Sequence, residues 1–298
     1  MEVTKRNGNK ESFSVEKIHK VVEWATKGIN GVSFSDIEMN ANLSIHDGIE
    51  TSKIHQILIK SANDLISTSE PNYQYVASRL LNMQLRKEVW GCGDEPTDFL
   101  LFLQRNEDNG IYDPHILKKW SDKDVDRFGR YINHSRDDLF TYAGLQQMID
   151  KYLVKNRSTG VIYETPQFAY MAIAMCLFDS VDEVKKAYDC YSTFKINLPT
   201  PIMAGVRTNI RQFASCVLVD VDDNLDAIFS SIHAVGKYTA RRAGIGLNIG
   251  RMRPINSPIR GGEVIHTGLI PYLKNFESAV KSTSQNGLRG GSATVHIP

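Results

Sequence analysis

The chain has 298 residues, 42% hydrophobic and 23% charged, and its 35 Lys and Arg against 34 Asp and Glu leave a formal charge of +1. That balance fits a folded protein with about two domains' worth of core and excludes disorder as the dominant state. It also excludes steering to a polyanion by the whole-molecule field, so no direct nucleic-acid binding is expected and any phosphate chemistry must be local.

The longest apolar run, residues 168–178, falls short of the roughly 18–20 residues that cross a bilayer. The N-terminus MEVTKRNGNK is charged, so the chain is expected to be neither membrane-embedded nor secreted, and its place is the cytoplasm. Cys92, Cys176, Cys190 and Cys216 include no C-x-x-C pair. A reducing compartment is therefore expected, with neither a disulfide scaffold nor a metal site.

Residues 1–90 read as a small, mainly helical unit. Asn7-Gly8 in VTKRNGNKESF predicts a two-residue hairpin turn. Ser14 is placed to cap a helix with Ile18, Val21, Val22 and Ala25 on its apolar face. Thr51 precedes a second helix carrying Ile54, Leu58, Ala62 and Leu65, and Pro71 opens a third in which Tyr73, Val76, Ala77 and Leu80 recur, up to Lys87. Residues 91–205 stay helical, with longer polar loops and one hairpin signal, KNRSTGVIYE.

The character changes near Ser192. The β-branched run from Cys216 to Val221 predicts a strand, after which Asp222 and Asp223 are expected to cap a helix reaching about Ala243. RAGIGLNIGRMRPINSPIRGGEVIHTG reads as a Gly- and Arg-rich loop, residues 265–282 resume helical periodicity, and STSQNGLRGGSATVHIP reads as a second Gly-rich loop entering a strand. The fold class is α/β with a mainly helical N-terminal region and repeated β-α units over residues 206–298.

Three constellations carry chemistry. Arg253 and Arg260 flank Gly261-Gly262, while Gly244, Gly246 and Gly250 free the backbone; guanidinium forks with exposed N–H groups suit phosphate. The same residues also fit tight turns with solvated arginines, and neither Gly-rich loop matches G-x-G-x-x-G or a Walker pattern. Cys216 lies beside Ser215 and after Arg207, Thr208 and Arg211, where positive charge favours a reactive thiolate; a small buried hydrophobe is the alternative. Lys5, Arg6 and Lys87, with Glu11, Lys17, Thr51 and His55, gather cations that can grip a triphosphate. A solvated basic surface is the other reading.

Taken together, VTKRNG, DGIETSKIHQILIKSA, EPNYQYVASRLL, YLVKNRSTGVIYETPQF, STFKINLPTPIMAGVRT, RQFASCV, RAGIGLNIGRMR, SPIRGGEVIHTG and KSTSQNGLRGGSATVHIP resemble the large (α) subunit of class I ribonucleoside-diphosphate reductase. The resemblance implies an ATP-cone over residues 1–90, a helical domain over 91–205, and over 206–298 the first β-α units of a ten-stranded α/β barrel. It implies an activity site for ATP or dATP at Lys5, Arg6, Glu11, Lys17, Thr51, His55 and Lys87. A specificity site for deoxynucleoside triphosphates or ATP is implied at Asp223, Asn224, Leu225, Arg253 and Arg260. Thr200 and Ser215, with backbone near Gly244, match substrate diphosphate contacts, and Cys216 matches one member of the dithiol that reduces the ribose 2′ carbon. Gln285 and Arg289 match the readers that carry effector occupancy to the substrate base. Asn286 departs from the family at a place where glycine is usual.

The implied partners are a C-terminal portion of the large subunit, a second large subunit, a radical-generating small (β) subunit holding the radical cofactor, and thioredoxin or glutaredoxin. The family's Asn/Cys/Glu radical set and second active-site thiol fall outside these residues. The chain is therefore expected to be inactive alone, as one chain of a split large subunit or a truncated product. A nucleotide-binding regulatory or structural fragment without a catalytic role is the alternative; the zinc ribbon of nucleotide-sensing repressors would need paired C-x-x-C motifs.

Overall fold

The structure, a computed structural model, describes residues 1–42, 44–210, 212–284 and 290–297. The chain divides into two compact units, one of Met1–Leu198 with Val206–Ile210, the other of Pro199–Gly205 with Arg211–Pro298.

The first unit opens on an antiparallel hairpin, β1 (Glu2–Thr4) and β2 (Lys10–Ser12). Its turn is longer than the Asn7-Gly8 pair predicts. Lys5 N–H donates to Asn9 O at 2.8 Å, Gly8 N–H donates to Lys5 O at 2.9 Å, and Gly8 has φ 85° while Asn7 stays out of the left-handed region. A two-residue type I′ turn needs positive φ at both central residues, so the turn instead ends in a single left-handed glycine.

Helices α1 (Val15–Thr26), α2 (Phe34–Asn42), α3 (Thr51–Asp64) and α4 (Tyr73–Trp90) follow. Ser14 stands at the N-cap of α1, but its hydroxyl donates to the Glu16 carboxylate at 2.6 Å instead of accepting from the backbone. Helix α2 was not expected from the sequence. Its signal is Ser33, whose hydroxyl accepts from Asp36 N–H at 3.3 Å, followed by Ile37 and Ala41, buried one turn apart. Helix α4 outruns Lys87 because Gly91, at φ 77°, takes the left-handed position past its end.

Helices α5 (Phe99–Asp108), α6 (His115–Lys119), α7 (Asp122–Tyr131), α8 (Tyr142–Gln147), α9 (Pro166–Leu177) and α10 (Val181–Ser192) complete the unit. Helix α9 is almost uniformly apolar and buries every side chain from Pro166 to Met175, as a helix without a polar face requires. The KNRSTGVIYE hairpin forms through a Lys155–Ile162 bridge.

Two buried carboxylates order the interior. Asp137 accepts from Arg86 at 3.0 Å, Asn82 at 3.1 Å and Gln167 at 2.8 Å, tying α4 to α9. Glu164 accepts from Arg207 Nε at 2.8 Å, from a second Arg207 nitrogen, from Val154 N–H at 2.5 Å and from the Tyr112 hydroxyl. Glu164 and Arg207 are both 0% exposed. Removing one member leaves an unpaired buried charge, so Glu164→Gln should lower the unfolding free energy by about 3–5 kcal/mol. Denaturant titration reads this, and the double variant Glu164→Leu with Arg207→Met should recover much of the loss.

In the second unit, α11 (Thr200–Gly205) precedes β3 (Cys216–Asp220), α12 (Leu225–Ala240) and β4 (Gly244–Asn248). A short hairpin, β5 (Pro258–Ile259) and β6 (Val264–Ile265), then leads to α13 (Ile270–Thr283) and β7 (Ala293–His296). The sheet order is β3-β4-β7 with both pairs parallel, hence two successive β-α-β crossovers. Helix α13 starts at Ile270 and not near residue 265, because Val264–Ile265 pairs as a strand.

The GIGLN segment, read from sequence as loop, is the central strand β4. Ile245 and Leu247 are buried beneath α12 and α13, with Val217 and Val219 packed beside them. Alternation then puts Cys216 with Gly244, Leu218 with Gly246, and Asp220 with Asn248 on the opposite face. A Cβ on Gly246 would stand 2.5 Å from Leu218 Cδ2, so this glycine serves strand packing.

Candidate functional sites

In the first unit the cations converge on the hairpin. Lys5 and Lys17 both reach Glu11, at 2.7 and 3.0 Å, and hold its carboxyl below the usual range. The bridge between Thr4 and Glu50 sets Lys5 beside Thr51, the first residue of α3. One turn on, His55 is buried and its Nε2 donates to Leu80 O of α4 at 2.7 Å. Burial, reinforced by the charges of Lys87 and Arg6, lowers the His55 pKa to about 4. Burial and then Arg6 also lower Lys87, against the pull of Asp94.

Arg6, Lys87 and His55 thus sit within each other's fields. The Arg6 and Lys87 cations repel one another and keep the imidazole neutral, and an anion relieves the repulsion. The cluster suits a polyphosphate.

The imidazole also sets a pH dependence. His55 has a folded pKa of about 4 against 6.5 unperturbed, so the unfolded chain binds more protons between those values. Stability is full above pH 6.5 and falls as pH drops towards 4, by roughly 3 kcal/mol for this group. His134, lowered to about 4 by burial and by Arg86, behaves alike. Replacing His55 with Gln should flatten the slope of unfolding free energy against pH between 6.5 and 5, to which His134 also contributes, as read by denaturant titrations across that range.

In the second unit the cap of α12 is Asn224, whose Oδ1 accepts from Ala227 N–H at 2.9 Å. Asp222 and Asp223, expected from sequence as the caps, instead face arginines. Asp222 accepts from Arg251 at 3.1 Å. Asp223 accepts from Arg253 Nε at 2.5 Å and from Arg253 N–H at 3.2 Å, while Arg253 also donates to Pro258 O at 3.4 Å. Arg253 therefore joins the entry of α12 to the β5-β6 hairpin. Arg260 is exposed in that hairpin's turn, where it, Gly261 and Gly262 have φ 50°, 70° and 96°. Leu225, 56% exposed, adds an apolar surface at the helix entry.

The thiol of Cys216 is exposed at the start of β3, and a cleft of about 410 Å³ opens over it. Its walls include Ser215, Thr239, Arg242, Gly244 and residues 290–292. Gly244 N–H donates to Ser215 O at 2.8 Å, and the Ser215 hydroxyl lies 3.9 Å from Cys216 Sγ. A Cβ on Gly244 would stand 3.9 Å from that sulfur, and one on Gly291 would meet Thr239 Cγ2 at 2.7 Å. Glycine at both places lets backbone line the cleft.

Thr200 opens α11 in the same unit but does not line this cleft, and Gln285 and Arg289 lie outside the described residues. Arg207, expected to charge the surroundings of Cys216, is instead buried against Glu164 in the first unit, and Arg211 also lies outside the described residues.

Arg242 escaped the sequence reading. It has φ 72°, a conformation that disfavours a residue with a Cβ by about 1–2 kcal/mol. The available signal was a helix end carrying arginine where glycine is usual.

Among the described residues no group of three or more His, Cys, Asp or Glu is placed to hold a metal ion. No helix among them is long and apolar enough to cross a membrane.

Three family profiles match in succession: the ATP cone domain over residues 1–88, the ribonucleotide reductase all-alpha domain over 138–211, and the ribonucleotide reductase barrel domain over 214–298. The chain belongs to the ribonucleotide reductase large-subunit family. It is 48% identical over 302 residues to ribonucleoside-diphosphate reductase 1 subunit alpha of Salmonella typhimurium, and equally to that of Escherichia coli K12. It is 45% identical over 301 residues to the alpha subunit of Enterobacteria phage T4. Each alignment covers 99% of this chain and 40% of the relative, so the chain spans about two-fifths of the length of the relatives it matches. It corresponds to their N-terminal part. The succession of ATP-cone, helical region and barrel start expected from the sequence is met, and the open three-stranded sheet is the reductase barrel's beginning.

Proposed function

We propose that this chain provides the effector sites, part of the substrate site and one redox cysteine for the reduction of ribonucleoside diphosphates to deoxyribonucleoside diphosphates. The observation that carries this reading is the cleft in which the exposed Cys216 thiol, Ser215 and the glycine-opened backbone of Gly244 and Gly291 converge. In the reaction the C2′–O bond breaks, the hydroxyl leaves as water, hydrogen is added at C2′, and two thiols become a disulfide. The two thiols supply both electrons and both protons.

Cys216 is one thiol; the other comes from the C-terminal portion of the large subunit. Thioredoxin or glutaredoxin reopens the disulfide. A radical cofactor in the small subunit supplies the oxidising equivalent that activates the ribose, which leaves this chain's residues to bind, orient and reduce. Ser215 and Thr200 hold the diphosphate, with backbone at Gly244.

Residues 1–90 form the activity site, with Lys5, Arg6, Glu11, Lys17, Thr51, His55 and Lys87 around ATP or dATP. Residues 91–205 form the helical domain, and residues 206–298 carry the specificity site at Asp223, Asn224, Leu225, Arg253 and Arg260. Gln285 and Arg289 pass its state to the substrate. Helices α12 and α13 pair two large subunits around the effector, and the assembly works in the cytoplasm.

The decisive variant is Cys216→Ser in the reductase assembled with this chain. Nucleotide binding and assembly should persist, because the replacement is nearly isosteric, while sustained deoxynucleotide formation should fall by 1000-fold or more, about 4 kcal/mol of barrel-site activation. Cys176→Ser and Cys190→Ser should retain turnover. Normal turnover of Cys216→Ser would leave a regulatory or structural role in place of the catalytic one. In a separate measurement, Arg253→Ala should weaken deoxynucleoside triphosphate binding about tenfold or more and blur substrate choice, because it removes the link from α12 to the hairpin.

A further inference from the structure

One wall of the Cys216 cleft is the Gly-Gly-Ser stretch of residues 290–292, and two attachments from outside the cleft set its place. On the sheet side Ile245 N–H donates to Ser292 O at 3.1 Å, which ties the wall to β4. On the helix side Gly291 lies in a crevice between α12 and the end of α13. A Cβ there would stand 2.7 Å from Thr239 Cγ2, 2.9 Å from Ser284 Cβ and 3.1 Å from Val280 Cγ1. The backbone of Gly291 is outside the left-handed region, so the crevice and not the conformation calls for glycine.

Of the three side chains in that crevice, only Thr239 also lines the cleft. It is 4% exposed and presents to Gly291 a β-branched methyl, a group with little rotamer freedom and hence a firm stop. Its hydroxyl is buried with no hydrogen-bond partner among the described residues. An unmet buried hydroxyl costs stability, and valine fills the same shape without that cost. The part of Thr239 that has a contact is therefore its methyl.

We propose that Thr239 is a positioning residue: its methyl seats Gly291 and so fixes the 290–292 wall against which the ribonucleoside diphosphate binds. The inference rests on the reading of the Cys216 cleft as the substrate site. A displaced wall changes how tightly substrate is held, whereas the thiol chemistry at Cys216 is untouched, so the effect belongs in KM and not in kcat.

The test measures kcat and KM for CDP, with ATP as effector, in the assembled reductase carrying the parent chain, Thr239→Ser, Thr239→Val, Gly291→Ala or Gly236→Ala. Gly291→Ala drives a methyl into Thr239 and should raise KM about tenfold with kcat kept within about twofold. Thr239→Ser removes the methyl without crowding the site and should raise KM about threefold. Thr239→Val keeps the shape, so its KM should match the parent, and it should unfold at no lower temperature. Gly236→Ala is the control for packing between the same two helices, because its Cβ would meet Thr283 Cγ2 at an ordinary 3.4 Å; its KM should also match the parent.

Parental KM in both Thr239→Ser and Gly291→Ala would overturn the proposal. A rise in Thr239→Val as large as in Thr239→Ser would assign the effect to the hydroxyl and overturn it as well. So would a comparable rise in Gly236→Ala, which would assign it to the packing of α12 on α13, or a loss confined to kcat. Cys216→Ser measured in parallel separates the two levels. If that variant turns over, the underlying reading fails and takes this inference with it. If it is inactive while Thr239→Ser and Gly291→Ala keep the parental KM, this inference alone fails.

Discussion

A guanidinium without exposed surface has to be met by a carboxylate, and in this chain Arg207 is met by Glu164. The requirement fixes the path of the backbone. Residues 206–210 belong to the helical unit, while the stretches on either side belong to the other. The ion pair therefore fixes residues 206–210 within the helical unit. Tyr112 and the Val154 N–H occupy the remaining lone pairs of Glu164, and Tyr152 O accepts from Arg207 at 3.0 Å. With every polar atom engaged, the buried pair specifies one route for the chain in a way that apolar contacts of similar volume would not.

Helix α4 carries a comparable double duty within the first unit. Leu80 and Lys87, seven residues apart, share one side, where His55 bonds the helix and the cations of the hairpin gather. Asn82 and Arg86, one turn apart, share another side and bond Asp137. The face that meets the cation cluster and the face that meets the buried carboxylate are thus parts of one helix. Because Asp137 is fully buried and held by donors from α4 and α9, the register of α4 is set from the helical side. The cation cluster is preorganised by contacts it does not itself make.

Local signals carried the sequence far where they are physically local. The helices with apolar stripes and the strand at Cys216 were legible from periodicity, whereas Lys5, Arg6, His55 and Lys87 read equally as a solvated basic surface until the fold brought them together. What stayed hidden depends on partners distant in the chain. Nothing around Arg207 reveals Glu164, 43 residues earlier, so its charge was credited to Cys216. Asp222 and Asp223 look like helix caps until Arg251 and Arg253, almost 30 residues later, take them and leave the cap to Asn224. Strand β4 was missed because GIGLN has only two apolar side chains, and what makes it a strand is the helix layer over Ile245 and Leu247. Ser33 and Asp36 were a local signal that went unused.

The glycines show why composition alone could not separate structure from function. Gly246 lies under Leu218, whose terminal methyl would have to move aside to admit a Cβ. Gly244 and Gly291 open the wall of a cleft, whereas Gly261 and Gly262 supply positive φ to a turn. All three demands produce the same letter, in segments that resemble phosphate loops. The sharper signal runs the other way, at a left-handed position where glycine is expected and a long charged side chain stands instead. That position, Arg242 at φ 72°, is invisible to composition too, because only the path of the backbone shows that glycine would be the unstrained residue there.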